Sequence, residues 1–246
     1  MSDPIIEFRQ VHKTFNHSSV LAGVDFAIRP AETVTIIGGS GSGKSVTLKL
    51  IVGLLKPESG QVLIEGEDIV PYTENQLLRI RKKIGMVFQN SALFDSLSVA
   101  ENIAYPLREH TAMSEQEIRE RIGETLNLVG LEGIEAKDPA ELSGGMRKRV
   151  ALARAIALVP RIILYDEPTT GLDPTNTEKI NELIVDMDEK LGVTSVVVTH
   201  DMRSAFKISD RIALLYKGKI AAAGTPREIE GSDLPLFREF IAGSGA

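Results

Sequence analysis

Eight consecutive residues, Gly38-Gly39-Ser40-Gly41-Ser42-Gly43-Lys44-Ser45, follow the pattern G-x-x-x-x-G-K-S. Glycines at this density let a backbone wrap with its N–H groups turned inward, a cradle that suits phosphate oxygens. A helix beginning at the same point adds the positive end of its dipole. Lys44 supplies a full charge for β- and γ-phosphates, and the Ser45 hydroxyl is a hard ligand for Mg²⁺. A second chemical stretch is Ile162-Ile163-Leu164-Tyr165-Asp166-Glu167, an apolar run ending in two acids. A strand that ends so delivers its acids to the carboxyl edge of a sheet, where the phosphate loop also lies. Asp166 can hold Mg²⁺, and Glu167, one step on, can orient or deprotonate an attacking water. A third stretch, Ser143-Gly144-Gly145, stands before a basic, helical-looking run. Hydroxyl, backbone N–H groups and helix dipole there make a second anion site.

These groups need a scaffold that the flanking sequence predicts. Glu32–Ile37 reads as a strand entering the phosphate loop. Leu48, Ile51, Val52 and Leu55 follow at helical spacing. That strand–loop–helix context is what the phosphate-loop pattern requires, and no G-x-G-x-x-G of a dinucleotide fold can be read from the same glycines. Ile5–Phe15 and Val20–Ile28 read as paired strands, the second alternating apolar and polar residues, and Gln61–Glu65 as another. Thr73–Lys83 and Val99–Arg108 are expected to be helical. Ser114-Glu115-Gln116-Glu117 is a capping box before Ile118, Ile122, Leu126 and Val129. Met146–Leu158 is a further helix before Pro160. Ile162–Tyr165 and Ser195–Val198 are continuous apolar runs of the kind buried parallel strands show. Asp173-Pro174 opens a helix to Leu191 with Gly192 beyond it, and Arg211–Tyr216 with Lys219–Ala223 makes a hairpin.

Composition narrows the class. The chain has 246 residues, 43% hydrophobic, enough for one α/β domain with an inserted subdomain. Its formal net charge of −6, without a long basic run, argues against nucleic acid as a partner. With no cysteine, thiolate catalysis, disulfides and Cys-ligated zinc are excluded. Met1-Ser2-Asp3-Pro4 carries no signal-peptide pattern, and no apolar stretch approaches the roughly 20 residues of a membrane span. A cytosolic nucleotide-using protein is expected, with any membrane role carried through a partner chain.

The run Glu141-Leu142-Ser143-Gly144-Gly145-Met146-Arg147-Lys148-Arg149 resembles the signature of ATP-binding-cassette (ABC) ATPases. The order of phosphate loop, signature, Asp-Glu acids and a lone His matches that family over roughly Ile5–Ile229. The resemblance implies an α/β P-loop fold with a mixed or largely parallel central sheet. It adds an N-terminal antiparallel β subdomain and an inserted α-helical subdomain. Within 1–246 it implies a catalytic core from 1–89 and 160–230, a helical subdomain at 90–159 and a tail at 231–246. It implies ATP and Mg²⁺ as cofactors and a head-to-tail homodimer. In that dimer each nucleotide lies between the phosphate loop of one chain and Ser143, Gly144 and Gly145 of the other.

Further positions follow from the resemblance. Gln89 is similar to the Q-loop glutamine that touches Mg²⁺ and water. His200 is similar to the switch histidine at the γ-phosphate. Asp173 resembles the D-loop aspartate and is also suited to cap the helix at Pro174. Phe15 resembles the aromatic that stacks on adenine; the family usually has Tyr there, and a strand-end core residue is the other reading.

One cassette without a coiled-coil arm resembles a transporter subunit on the cytoplasmic side of the inner membrane, attached through an integral-membrane permease. The docking groove is expected at Asn90-Ser91-Ala92-Leu93-Phe94 and Ala104-Tyr105-Pro106-Leu107, with Leu93 and Phe94 as exposed contact residues. Met146 after the glycines, Phe94-Asp95-Ser96-Leu97 and Tyr105-Pro106-Leu107-Arg108-Glu109 resemble the Mce/Mla-type ATPases. That likeness implies phospholipid transport between bacterial membranes with a lipid-binding Mce-type partner. An amino-acid-type importer ATPase and a soluble cassette regulating protein assembly are the alternatives.

Overall fold

The computed structural model of the chain describes residues 3–231 and residue 237. Most of the expected tail, from 231 to 246, therefore lies outside the described residues. The chain opens with strands β1 (Ile6–Phe15), β2 (Ser18–Ile28) and β3 (Thr33–Ile37), then helix α1 (Lys44–Ile51). Strands β4 (Ser59–Ile64) and β5 (Glu67–Asp68), helix α2 (Glu74–Arg81) and strand β6 (Ile84–Val87) follow. Three helices come next: α3 (Val99–His110), α4 (Glu115–Leu128) and α5 (Gly144–Ile156). The chain returns to α/β with β7 (Ile162–Asp166), α6 (Pro174–Leu191), β8 (Thr194–Thr199) and α7 (Met202–Ile208). It continues through the hairpin β9 (Arg211–Tyr216) and β10 (Lys219–Gly224) to α8 (Pro226–Glu230).

Two sheets form. One is antiparallel, in the order β2-β1-β4-β5. The other has six strands, β10-β9-β3-β8-β7-β6, all parallel except the edge strand β10. The Ala22 amide donates to the Gly218 carbonyl at 2.8 Å and stitches the sheets together. This is the α/β P-loop arrangement expected, with the antiparallel sheet beside a mixed one.

The central strands are apolar throughout because both faces are covered. In β7, Ile163 and Tyr165 face the core built by α3–α6, while Ile162 and Leu164 face the core shared with α1 and the antiparallel sheet. β8 divides the same way, Val197 to one side and Val196 and Val198 to the other.

The order of the sheet decides where the chemistry falls. Neighbours β3, β8, β7 and β6 run parallel, so their carboxyl ends share one edge. The segments leaving that edge begin at Gly38, His200, Glu167 and Phe88.

Candidate functional site

The loop from Gly38 to Gly43 is shaped by its glycines. Gly43 is the N-cap of α1 with φ 107°, and a Cβ there would sit 2.9 Å from Val20 Cγ1. Any side chain would therefore be both strained and crowded at the point where α1 presents its free N–H groups. A Cβ at Gly39 or Gly41 would meet nothing within 4 Å, because those residues face an open hollow. That cavity, about 640 Å³, is lined by Val20, the loop from Ser40 to Val46, Gln89, Glu167 and His200. A larger one, about 1100 Å³, opens beside Arg161 and Val193 at the amino-terminal ends of β7 and β8. None of the predicted site residues lines it, and its Arg9 and Arg161 are already paired with Glu7 and Glu65. The smaller cavity has the chemistry.

Lys44 is buried, and its Nζ donates to the carbonyls of Gly38 at 2.8 Å and Gly39 at 3.2 Å. It also lies 3.8 Å from Glu167 Oε1. Burial pushes the lysine pKa down, opposed by the carboxylates of Glu167 and Asp166. The Ser45 hydroxyl donates to Asp166 Oδ1 at 2.8 Å. One hydroxyl and one carboxylate so close fit a Mg²⁺ ion that takes its remaining ligands from water and phosphate. No cluster of three or more His, Asp or Glu suited to a metal exists among the described residues.

Glu167 is the most constrained residue of the site. Its φ is 49°, in the left-handed region that costs a non-glycine residue of order 1 kcal/mol or more. Its Oε2 accepts from the Thr170 hydroxyl at 3.2 Å and the Thr199 hydroxyl at 3.3 Å, and lies 2.9 Å from His200 Nδ1. The carboxylate is thus held from β8 and from its own loop, with one oxygen turned to Lys44.

The structure brings Lys44, Ser45, Asp166, Glu167, Gln89 and His200 to one edge. Phe15 is exposed under the Lys13 ammonium, 5.2 Å from its ring centre, and does not line the cavity; Val20 does. Ser143, Gly144 and Asp173 are exposed. Helix α5 begins at Gly144, two residues before the expected Met146, because Ser143 is its N-cap and accepts from the Met146 amide at 3.2 Å. Asp173 caps α6, accepting from the amides of Thr175 and Asn176 at 3.0 and 3.1 Å. The Asn176 side chain and that capped helix end hold its carboxyl below the usual range. The two caps are in contact: a Cβ at Gly145 would lie 2.6 Å from Asn176 Oδ1. Any side chain at 145 would force the Asn176 side chain to shift.

The expected exposure of Leu93 is corrected. Leu93 is half-buried and packs on the core of α3–α6, whereas Phe94 is exposed and tilts against Tyr105 at 5.1 Å. Ala104 and Leu107 are also core residues. The fully buried Asn102 fixes this loop, accepting from the Phe94 amide at 2.8 Å and donating to the carbonyls of Phe94, Leu97 and Ser98. Arg154 braces the turn before it, donating to the Ser91 and Ala92 carbonyls at 2.9 and 2.7 Å.

Thr170, Thr199 and Lys148 are site residues that motif reading passed over. Lys148 had a signal: it lies on the inward stripe Gly145, Lys148, Leu152, Ile156, where a lysine is out of place.

A glycine loop capping a helix, with an acid pair on the adjoining strand edge, defines a P-loop nucleotide hydrolase. Residues 21–170 match the family described as ABC transporter, and the chain belongs to that family. It is the ATP-binding, ATP-hydrolysing subunit of an ABC transporter. It is 43% identical over 238 residues to the probable ribonucleotide transport ATP-binding protein mkl of Mycobacterium leprae, covering 97% of this chain and 69% of that one. It is 39% identical over 244 residues to the intermembrane phospholipid transport system ATP-binding protein MlaF of Haemophilus influenzae, covering 99% and 92%. Among solved structures it resembles the dimeric post-hydrolysis state of the ATP-binding cassette MJ0796 bound to ADP and Pi. The TM-score is 0.83 at 39% identity, over 90% of this chain and 99% of that one. No helix of the described residues is long and apolar enough to cross a membrane.

Proposed function

We propose that this subunit powers phospholipid transfer between two membranes of a bacterial envelope. The observation that carries this reading is the likeness to MlaF, which runs over 99% of this chain and 92% of that protein. Met146 after the glycines, and the Phe94 and Tyr105 stretches, point the same way.

In the proposed cycle the phosphates of ATP lie on the loop from Gly38 to Ser45, with Lys44 turned from the Gly38 and Gly39 carbonyls to the β- and γ-oxygens. The Ser45 hydroxyl, Asp166 and Gln89 are the groups that would hold Mg²⁺, which supplies charge neutralisation on the phosphates. Glu167 accepts a proton from water as its oxygen attacks the γ-phosphorus and the bond to the β,γ-bridging oxygen breaks, leaving ADP and phosphate. Thr199, Thr170 and His200 fix the carboxylate for that transfer. Phe15, at the end of β1, is proposed to reach the base of the nucleotide.

Two chains pair head to tail in this reading, with Ser143, Gly144 and Gly145 of one facing the γ-phosphate held by the other, beside Asp173. The exposure of Ser143 and Gly144 supports it, since in a lone chain this helix cap faces outward. Residues 90–159 act as the helical subdomain that meets a permease, the rest of 1–230 as catalytic core, and Phe94 with Tyr105 as the contact surface. The subunit then sits on the cytoplasmic face, in a complex with a permease and a lipid-binding Mce-type protein.

The test is purification of the tagged chain with its membrane partners, followed by reconstitution. Transfer of a fluorescent phospholipid from donor to acceptor vesicles, dependent on ATP and abolished by Lys44→Ala, is the expected result. Uptake of ribonucleotides or amino acids without lipid transfer would overturn the substrate reading. A chain that brings down no membrane partner would overturn the transporter role.

A further inference from the structure

Lys148 is a buried cation that the phosphate chemistry leaves without a task. It sits four residues after Gly144, in the first turns of α5. Its Nζ donates to the backbone carbonyl of Gln89 and, at 3.3 Å, to that of Glu167. Both acceptors are carbonyls rather than carboxylates. Burial pushes the pKa of this ammonium down, against the pull of the Glu167 and Asp166 carboxylates further off. Desolvating an ammonium costs more than two neutral acceptors return, so an apolar side chain would fill the same path at lower cost to stability. What an apolar side chain cannot do is fix two carbonyls from two different loops.

One of those carbonyls belongs to the strained residue. The Glu167 amide donates to the Val198 carbonyl at 2.9 Å, and its carbonyl accepts from the Thr170 amide at 3.3 Å as well as from Lys148. A left-handed glutamate persists only where its surroundings over-determine it. Lys148 is the part of those surroundings that comes from α5, the helix that Ser143 caps.

We propose that Lys148 is a positioning residue. It locks the peptide groups of Gln89 and Glu167 to α5, so that the Glu167 carboxylate is aimed at the attacking water only while α5 is seated. The proposal rests on the reading of Glu167 as the base. It assigns Lys148 no contact with nucleotide or metal and only a backbone hold on Gln89, so its removal is felt in kcat far more than in binding.

The test is ATP hydrolysis by the full chain carrying Lys148→Met, which keeps the stem and removes the ammonium. Misaiming a base by about an ångström costs on the order of 10–100-fold in kcat. KM, and the Kd of a non-hydrolysed ATP analogue, should stay within about twofold. Lys148→Gln restores one donor and is expected to recover most of the loss; it also serves as the second variant should Lys148→Met not fold. In a Glu167→Gln background, measured by single turnover, Lys148→Met should add less than about threefold, because residues acting as a unit are not additive. Wild-type kcat in Lys148→Met, a loss confined to KM, or a full multiplicative loss in the Glu167→Gln background would each overturn the proposal while leaving the base assignment standing. Wild-type turnover in Glu167→Gln alone would remove the base assignment, and the proposal with it.

Discussion

Replacing Glu167 by Gln separates what the carboxylate does for chemistry from what it does to binding. The amide keeps the shape and one oxygen, so the contacts from Thr170, Thr199 and His200 can persist. What is lost is the proton acceptor and the negative charge. Loss of a general base lowers kcat by about 10²–10⁴-fold, or roughly 3–5 kcal/mol of transition-state stabilisation. Loss of the charge acts in the opposite sense on nucleotide. Glu167 Oε1 is 3.8 Å from Lys44 Nζ, so a phosphate drawn to that lysine lies within a similar range of the carboxylate. Two like charges some 4 Å apart repel by about 1 kcal/mol at the dielectric of water and about 4 kcal/mol at an effective value near 20. The open cavity puts the site toward the lower figure. Glu167→Gln should then bind Mg·ATP about fivefold more tightly than wild type, at roughly 1.4 kcal/mol per decade. Equilibrium binding with labelled ATP, alongside single-turnover hydrolysis, reads both effects. Hydrolysis within tenfold of wild type would refute the base assignment. Weaker ATP binding would refute the placement of the carboxylate beside the terminal phosphate.

Gly145→Ala should destabilise by about 1–3 kcal/mol through overpacking against Asn176, a fall of several degrees in Tm, and Asn176→Ala in the same chain should recover most of it. Thermal unfolding of the two variants checks this. Phe94→Ser should leave stability within about 0.5 kcal/mol but weaken assembly with the membrane partner, whereas Leu93→Ser should cost about 1–3 kcal/mol because that side chain packs on the core. Normal yields of the complex with Phe94→Ser would move the docking surface elsewhere.

Where the sequence carried a local rule, the site was legible. The phosphate loop needs glycines before a helix, the acids need an apolar strand before them, and in each case the rule is written within a few residues of the motif itself. Strands covered on both faces announced themselves as unbroken apolar runs at β7 and β8. β6 did not: it has four residues with Gly85 among them, and a Cβ at Gly85 would lie 2.5 Å from the Ala155 carbonyl oxygen. Its strand character comes from pairing with β7 and from α5 across it, not from its own pattern. The seven-residue α7 and five-residue α8 are too short to show a helical period. Leu93 was misjudged because irregular chain has no period from which burial can be read. The buried anchor Asn102, eight residues on from Phe94, sets which of Leu93 and Phe94 turns inward. In Met146-Arg147-Lys148-Arg149 a basic run looks solvated as a whole, yet each residue turns about 100° from the last. Arg147 is exposed while Lys148 is buried.

That turn in α5 ties the proposed outer site at Ser143 to the phosphate site. Ser143 caps the helix and is exposed, facing the phosphate of a second chain in the proposed head-to-tail pair. Lys148, five residues on and so about 7 Å along the axis, is fixed inside its own chain's site through Gln89 and Glu167. A helix of 13 residues is stiff over that length. Displacing its tip must either carry Lys148 along or break its hold on two carbonyls. The tip itself rests on α6, where Gly145 leaves no room against Asn176 and Asp173 caps the same helix end. A force applied to Ser143 therefore has two rigid outlets, one to Asp173 on the surface and one to the backbone of Glu167. Binding at the outer site would be felt at the inner one without any side chain touching both nucleotides.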